Sequence, residues 1–205
     1  MATPKTSLSD EQLLEQYQLG DKAAFETLIE RYRLELFHFL ARFSGERTAA
    51  EDIFQETFLQ VHLSAGTFDA ERRFKPWLFT IAANKARDYM RRRARRPAAP
   101  IDAPVGGHSS GEAGQTFVDL MQAEMPAPDE RMERSELQAL VQRTIEGMPD
   151  HLREILLLAY FQRFSYNEIA DVLKIPLGTV KSRLHTAVAM FAKLWQQQNL
   201  DEKPT

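Results

Sequence analysis

The stretch SYNEIADVLKIPLGTVKSRLHTA, residues 165–187, decides how this chain is read. Ser165 is followed three residues later by Glu168, a reciprocal cap that satisfies orphan amide donors at a helix start. Ile169, Val172 and Leu173 then fall on one face of the helix it opens. Residues 174–178 interrupt that pattern. A second apolar stripe runs through Val180, Leu184, Ala187, Val188 and Phe191, which leaves Thr179, Lys181, Ser182, Arg183, His185 and Thr186 facing away from the core. Two short helices joined by a tight turn make a helix-turn-helix. The first helix pins the second by its apolar face, so the polar face can lie in a DNA major groove. An ordinary helical hairpin with a solvated face has the same pattern, and this stretch alone leaves both readings open.

Working outward, 205 residues suit one or two domains, and each half is long enough for a small helical core. The chain has no cysteine, which excludes a disulfide framework and a thiolate metal site. The N-terminus MATPKTSLSDEQ is polar, with no secretory core, and no apolar run approaches membrane-spanning length. A cytoplasmic protein with no membrane insertion is expected. A formal net charge of -3 argues against coating nucleic acid by bulk charge, so DNA contacts must come from local basic patches.

Upstream, Leu13, Leu14, Tyr17, Phe25, Leu28, Ile29, Tyr32, Leu36, Phe39, Leu40 and Phe43 recur at helical spacing and read as core. Gly20-Asp21 separates two helices there, and Gly45 stops the second. A helix from Thr48, capped by Thr48 with Glu51, buries Ile53, Phe54, Phe58 and Val61. Its other face carries Asp52, Gln55, Glu56 and Leu59 at i, i+3, i+4 and i+7. Such a row is commonly just a solvated face, but an exposed leucine in a polar rim is also what a protein interface looks like.

Residues 66–75 read as a loop, with Pro76 in the first turn of the next helix. Trp77, Leu78, Ile81, Ala82 and Tyr89 of that helix point to a core; Trp77 is also an aromatic that could stack on an unpaired base. Between Arg72 and Arg96 the charged residues are Arg72, Arg73, Lys75, Lys85, Arg87, Asp88, Arg91, Arg92, Arg93, Arg95 and Arg96, of which only Asp88 is acidic. In an acidic chain this segregation suits a phosphate-binding surface, because each neutralised phosphate releases counterions. Asn84, Arg87, Asp88, Arg91 and Arg95 share a face.

Residues 97–128, rich in proline and glycine and without a lysine or arginine between Pro97 and Pro128, form an acidic linker. The island Phe117, Val118, Leu120 and Met121 within it is either a docking segment or a brief helix. Helix resumes over 129–146, Gly147 stops it, and Pro149 opens a helix carrying Leu152, Ile155, Leu156, Ala159 and Tyr160. The expectation is an all-α fold: a helical domain over 10–96, a flexible linker over 97–128 and a second helical domain over 129–197.

AEDIFQETFLQV, FKPWLFTIAANKARDYMRRR and MPDHLREILLLAYFQRFSYNEIADVLKIPLGTVKSRLH, in that order, resemble the extracytoplasmic-function group of sigma-70 family RNA polymerase sigma factors. The resemblance implies sigma region 2 for the first domain and region 4 for the second. It places docking to the clamp coiled coil of the largest polymerase subunit on Asp52, Gln55, Glu56 and Leu59. Recognition and opening of the −10 promoter element fall to Arg72, Arg73, Lys75, Asn84, Arg87, Asp88, Arg91 and Arg92, and reading of the −35 element to Thr179, Lys181, Ser182, Arg183, His185 and Thr186. Its implied partners are core RNA polymerase, including the flap, promoter DNA and an anti-sigma factor.

Two departures stand out. Thr186, Ala187, Val188 and Ala189 occupy positions where the family often carries further arginines, and Arg163-Phe164 stands where it usually has a glycine. The linker is also longer than the family's usual one. The competing expectation is a free-standing helix-turn-helix regulator of duplex DNA. Catalysis is not expected, since His38, His62, His108, His151 and His185 are scattered and no phosphate loop or nucleophile elbow is present. No cofactor or metal is expected.

Overall fold

The computed structural model describes residues 8–69, 71–95 and 138–201, so the linker, its apolar island, Arg96 and the start of the helix expected from 129 lie outside the described residues. Among the described residues every regular element is helical, and they form two helical domains.

The first domain contains α1 (Asp10–Gln18), α2 (Lys22–Ser44), α3 (Arg47–Ser64) and α4 (Phe74–Arg95). Ser9 and Gln12 close a reciprocal cap at the start of α1, and the Asp21 side chain accepts from the Ala23 amide at the start of α2. Gly45 ends α2 in the left-handed region, at φ 73°, where a side chain would be strained. The cap expected from Thr48 with Glu51 does not form. The helix begins one residue earlier, at Arg47, so Thr48 lies inside its first turn and Glu51 pairs instead with Arg47 at 3.6 Å. A short 3-10 turn over Ala65–Thr67 then leads toward α4.

The second domain contains α5 (residues 138–146), α6 (Asp150–Leu156), α7 (Tyr166–Leu173) and α8 (Leu177–Asp201). After α6 the chain widens into a π-helical turn, Leu157–Phe161. A π turn shifts the phase of the following residues around the axis. Leu157 and Leu158 are both buried as a result, while Tyr160, expected in the core, is 60% exposed. Val188, expected in the second stripe, is also exposed.

Phe164 is buried just after that turn, and Arg163 before it adopts φ 54°. The missing glycine therefore does not abolish the left-handed turn; an arginine occupies it. The reciprocal cap of Ser165 and Glu168 is present, and Lys174 closes α7 in the left-handed region, at φ 53°. Val180, Leu184 and Ala187 seat α8 in the core.

The two cores are continuous. Phe79 of α4 meets Phe39 at 5.3 Å and Phe164 at 5.2 Å between ring centroids, both edge to face. The buried Arg153 guanidinium donates to the carbonyls of Ile145, Glu146 and Met148 in its own domain, and to that of Phe43, at 2.8 Å, in the other.

Candidate nucleic-acid interface

The position of α4 is set at its start. The Glu11 carboxylate of α1 accepts from the Phe74 amide at 2.9 Å, meeting an orphan donor at the positive end of the helix dipole. Burial opposes ionisation of Glu11, but the bonds from Phe74, its own backbone and Ser9, with the charge of Arg73, bring its pKa below the ordinary value. Phe74, Leu78, Phe79, Ala82, Ala83 and Ala86 then bury one side of α4. Four of these, Phe74, Phe79, Ala83 and Ala86, escaped the pattern reading; the buried stripe is wider than a single-domain helix needs because α7 covers a second side.

Trp77 lies between the two roles foreseen for it. It is half-buried against Phe68, at 4.8 Å, and Phe74, at 5.8 Å, yet it lines a cleft of about 1360 Å³ together with Arg72, Arg73, Asn84 and the α7 residues Glu168 and Asp171. Asn84 and Asp88 are exposed on α4; the Asn84 side chain accepts from Arg87, and Asp88 pairs with Arg91 as the i, i+3 spacing predicts. Lys75 is different. Its ammonium reaches Glu35 at 2.6 Å and lies over the Phe164 ring at 5.2 Å, so it serves the packing between domains.

The basic surface is far less bare than its sequence. Arg72 pairs with Asp69 at 3.5 Å, Arg73 with Glu168 at 3.3 Å, and Arg87 with the buried Glu154 at 3.7 Å. Arg92 and Lys85 reach Glu56 at 3.7 and 3.8 Å, and Arg93 reaches Glu46 at 3.1 Å. Apart from Asp69, three residues before Arg72, those carboxylates come from other segments, beyond the reach of a local charge count.

On α3, Asp52, Gln55 and Leu59 are exposed as expected, Leu59 by 59%, and Glu56 is partly covered by its two cations. In α8, Lys181, Ser182, His185 and Thr186 are exposed, while Thr179 and Arg183 are half-buried. The Ser182 hydroxyl donates to the Thr179 carbonyl at 3.2 Å and that of Thr186 to Ser182 at 3.0 Å. The helix-turn-helix thus presents a polar face around two cations, and Val180, Leu184 and Ala187 of its other face are buried.

The second domain packs the apolar face of α7 against that of α8, and the first carries a basic helix and an acid-and-leucine row. Residues 28–96 match the pattern of Sigma-70 region 2, and residues 138–190 that of Sigma-70, region 4. This chain belongs to the sigma-70 family. The RNA polymerase sigma-H factor of Pseudomonas aeruginosa is 35% identical over 89% of this chain and 91% of its own length. The extracytoplasmic-function sigma factor SigW of Bacillus subtilis is 33% identical over 84% of this chain and 89% of its own. Among solved structures, CnrH in complex with the cytosolic domain of CnrY aligns with a TM-score of 0.65 and 26% identity, covering 92% of this chain and 97% of CnrH. The sigma factor is therefore of the extracytoplasmic-function group, and it directs promoter-specific transcription. No helix among its described residues is long and apolar enough to cross a membrane, and no metal-holding cluster occurs among them.

Proposed function

We propose that this sigma factor works in the cytoplasm as a non-catalytic, dissociable subunit whose two domains divide the promoter between them. Residues 10–96 dock on the polymerase clamp through Asp52, Gln55, Glu56 and Leu59. The same domain holds and opens the −10 element with Arg72, Arg73, Asn84, Arg87, Asp88, Arg91 and Arg92. Lys75, held between Glu35 and Phe164, is assigned there only once the domains part. Residues 129–197 read the −35 element through Lys181 and Arg183, with Thr179, Ser182, His185 and Thr186 around them.

The observation that carries this division is the pairing of two different DNA surfaces in one chain. A helix-turn-helix reads intact duplex in the major groove. Reading a base on its pairing edge requires that the base leave the stack, which calls for an aromatic wall and flanking cations. Trp77 with Arg72, Arg73 and Asn84 around one cleft supplies those. A free-standing regulator would have no use for this second surface. The sigma factor RpoE of Bartonella quintana, which shares this fold, was solved in complex with the anti-sigma factor NepR, and an anti-sigma factor is proposed as the antagonist of this chain.

Run-off transcription with purified bacterial core polymerase on genomic promoter fragments tests the reading. Transcripts should depend on this chain. Reversing Asp52 and Glu56 to lysine should cut them about tenfold or more and weaken core binding while the chain stays folded: Asp52 is exposed, and the pairs of Glu56 with Arg92 and Lys85 are long surface pairs whose loss lowers the melting temperature only modestly. Unchanged capture of core polymerase by that variant would remove the docking assignment.

A further inference from the structure

The helix α1 has no part in the promoter reading above, and it precedes residue 28, where the match to region 2 begins. It nevertheless holds the connection between α3 and α4 at both ends. The Gln18 side-chain amide donates to the Ala65 carbonyl at 2.6 Å, where the 3-10 turn opens. The Glu11 carboxylate accepts from the Phe74 amide at 2.9 Å, where α4 opens. Glu11 and Gln18 are seven residues apart, a spacing that puts them on one face of α1.

α1 is itself fixed. Leu13 and Leu14 are fully buried, Tyr17 stacks on Phe25 at 4.5 Å between ring centroids, and Asp10 binds both Arg31 and Tyr32 of α2. The Arg31 guanidinium also donates to the Leu8 carbonyl at 3.0 Å, just ahead of the reciprocal cap at Ser9. A helix anchored in this way is a splint for whatever its polar side chains grip.

What it grips leads to the aromatic wall of the cleft. The Ala65 carbonyl that receives Gln18 also receives the Phe68 amide, at 3.1 Å. The Phe68 ring lies 4.8 Å from Trp77, and Phe74, whose amide Glu11 holds, lies 6.2 Å from Phe68 and 5.8 Å from Trp77. Arg72 and Arg73 ride on the backbone between the two anchor points.

We propose that α1 braces the −10 surface for base selection, with Glu11 and Gln18 as positioning residues that fix Phe68 and Trp77 by holding both ends of the 65–74 connection. The proposal rests on reading Trp77, Arg72 and Arg73 as the surface that takes an unpaired base. A wall held at both ends cannot relax around a base of the wrong shape, whereas a loosened one adapts to each and discriminates less. Ordering the connection in advance also lowers the entropy lost on binding. Neither side chain touches DNA; each acts through the backbone it holds.

The test uses holoenzyme assembled from core polymerase and the full-length chain, mixed with single-stranded DNA that carries a short randomised run. Sequencing the bound fraction shows which bases are enriched. Gln18→Met keeps the length and removes the donor, and Glu11→Ala removes the acceptor. Each should lower the enrichment of the preferred base about threefold, and the pair about tenfold, with capture of core polymerase unchanged. Glu11→Gln, which keeps an acceptor, should restore most of it. A merely structural role would lower the melting temperature without moving the ratio between bases in the folded chain. Gln18 is exposed, so Gln18→Met carries the test if Glu11→Ala fails to fold.

Unchanged enrichment in the double variant, or in Gln18→Met where that stands alone, overturns the proposal. Arg72→Ala with Arg73→Ala separates this failure from failure of the reading beneath it. If that control weakens strand binding while the α1 variants leave the enrichment in place, the brace alone falls. If the unmodified chain enriches no base, or the control leaves strand binding untouched, the −10 assignment falls and the brace with it.

Discussion

The two helices aimed at DNA differ in a way their sequences conceal. α4 carries far more charge than the exposed part of α8, yet its Lys75, Lys85, Arg87, Arg91, Arg92 and Arg93, and Arg72 and Arg73 just before it, each have a carboxylate within ion-pair distance. On α8 Lys181, Ser182, His185 and Thr186 are exposed and Thr179 and Arg183 half-buried, and the hydroxyls of Ser182 and Thr186 bond back to their own helix. α4 is a basic helix largely paired, with Glu56 shared between Lys85 and Arg92; α8 is a sparse one with fewer pairs. A helix's charge count sets what it could bind, and the carboxylates other segments bring to it set what that binding must displace.

The largest test of this contrast compares two double substitutions in the polymerase holoenzyme. Lys181→Ala with Arg183→Ala should weaken binding of a duplex −35 element by about 2–4 kcal/mol, from the loss of two groups suited to guanine edges or phosphates. It should also flatten the salt dependence by roughly one unit of log-log slope per cation lost. Arg91→Ala with Arg92→Ala should change the slope less. Those arginines exchange Asp88 and Glu56 for phosphate, and an internal carboxylate that leaves is not a counterion released from the DNA. Equal slope changes, measured by fluorescence anisotropy at several salt concentrations, would show that the pairs on α4 do not persist in solution.

Next in size is a pH effect that separates the two helices. Glu154 lies against α4 with its carboxyl raised to about 7, above the ordinary value of 4.5. A group whose pKa is raised in the folded chain stabilises it fully below its unfolded value, and that stabilisation is lost as pH rises through the folded value. Between about pH 4.5 and 7 the folded chain should lose stability by at most about 3 kcal/mol from this group. Glu11 and Glu168 work in the opposite direction, since their pKa values are lowered and their contribution disappears in acid. Denaturant melts should therefore show a maximum on the mildly acidic side of neutrality, and Glu154→Gln should flatten the limb above it.

Much of this was legible from residue spacing. The reciprocal cap at Ser165, the buried stripe of Val180, Leu184 and Ala187, the stops at Gly20 and Gly45 and the exposed row on α3 all follow from periodicities of a few residues. What spacing could not supply was anything contributed from a distance. The carboxylates beneath α4 come from α2, α3, α6 and α7, and Phe79 looks like one apolar residue among many until Phe164 is found beside it. Tyr160 was misplaced for a local reason that is nonetheless invisible to a 3.6-residue template: the π turn moves it out of phase. Two bare signals could have been read further. A glutamate in the middle of an apolar helix, Glu154 between Leu152 and Ile155, already marks a buried charge, and the Glu11 that caps α4 lies in a first helix with no apparent link to it.

A smaller effect tests how α4 is placed. Glu11→Gln keeps an acceptor near the Phe74 amide but removes the charge at the start of the helix, which should cost about 1 kcal/mol of stability at neutral pH. The difference should shrink in acid, where Glu11 itself becomes protonated. α8 has no partner in this interaction, so the affinity of the second domain for duplex DNA should not change.

The smallest expected effect concerns the turn between the domains' shared wall and the helix-turn-helix. Arg163 holds φ 54°, where its Cβ crowds the backbone and a glycine would not. The conformation persists because its neighbours over-determine it: the amide of Gln162 bonds to the Leu157 carbonyl at 3.1 Å, that of Phe164 to Leu158 at 3.1 Å, and Phe164 is locked against Phe79. Arg163→Gly removes roughly 1 kcal/mol of strain but returns part of it as greater entropy of the unfolded chain, so a net gain of about 0.5 kcal/mol is expected in denaturant melts. A loss of stability would mean that the arginine side chain makes a contact worth more than the strain it imposes. Because Phe164 leads from this turn into α7, the same substitution also asks whether relaxing the turn loosens the hold of the second domain on α4. If it does, α4 should gain single-stranded DNA affinity while duplex reading by α8 stays where it was.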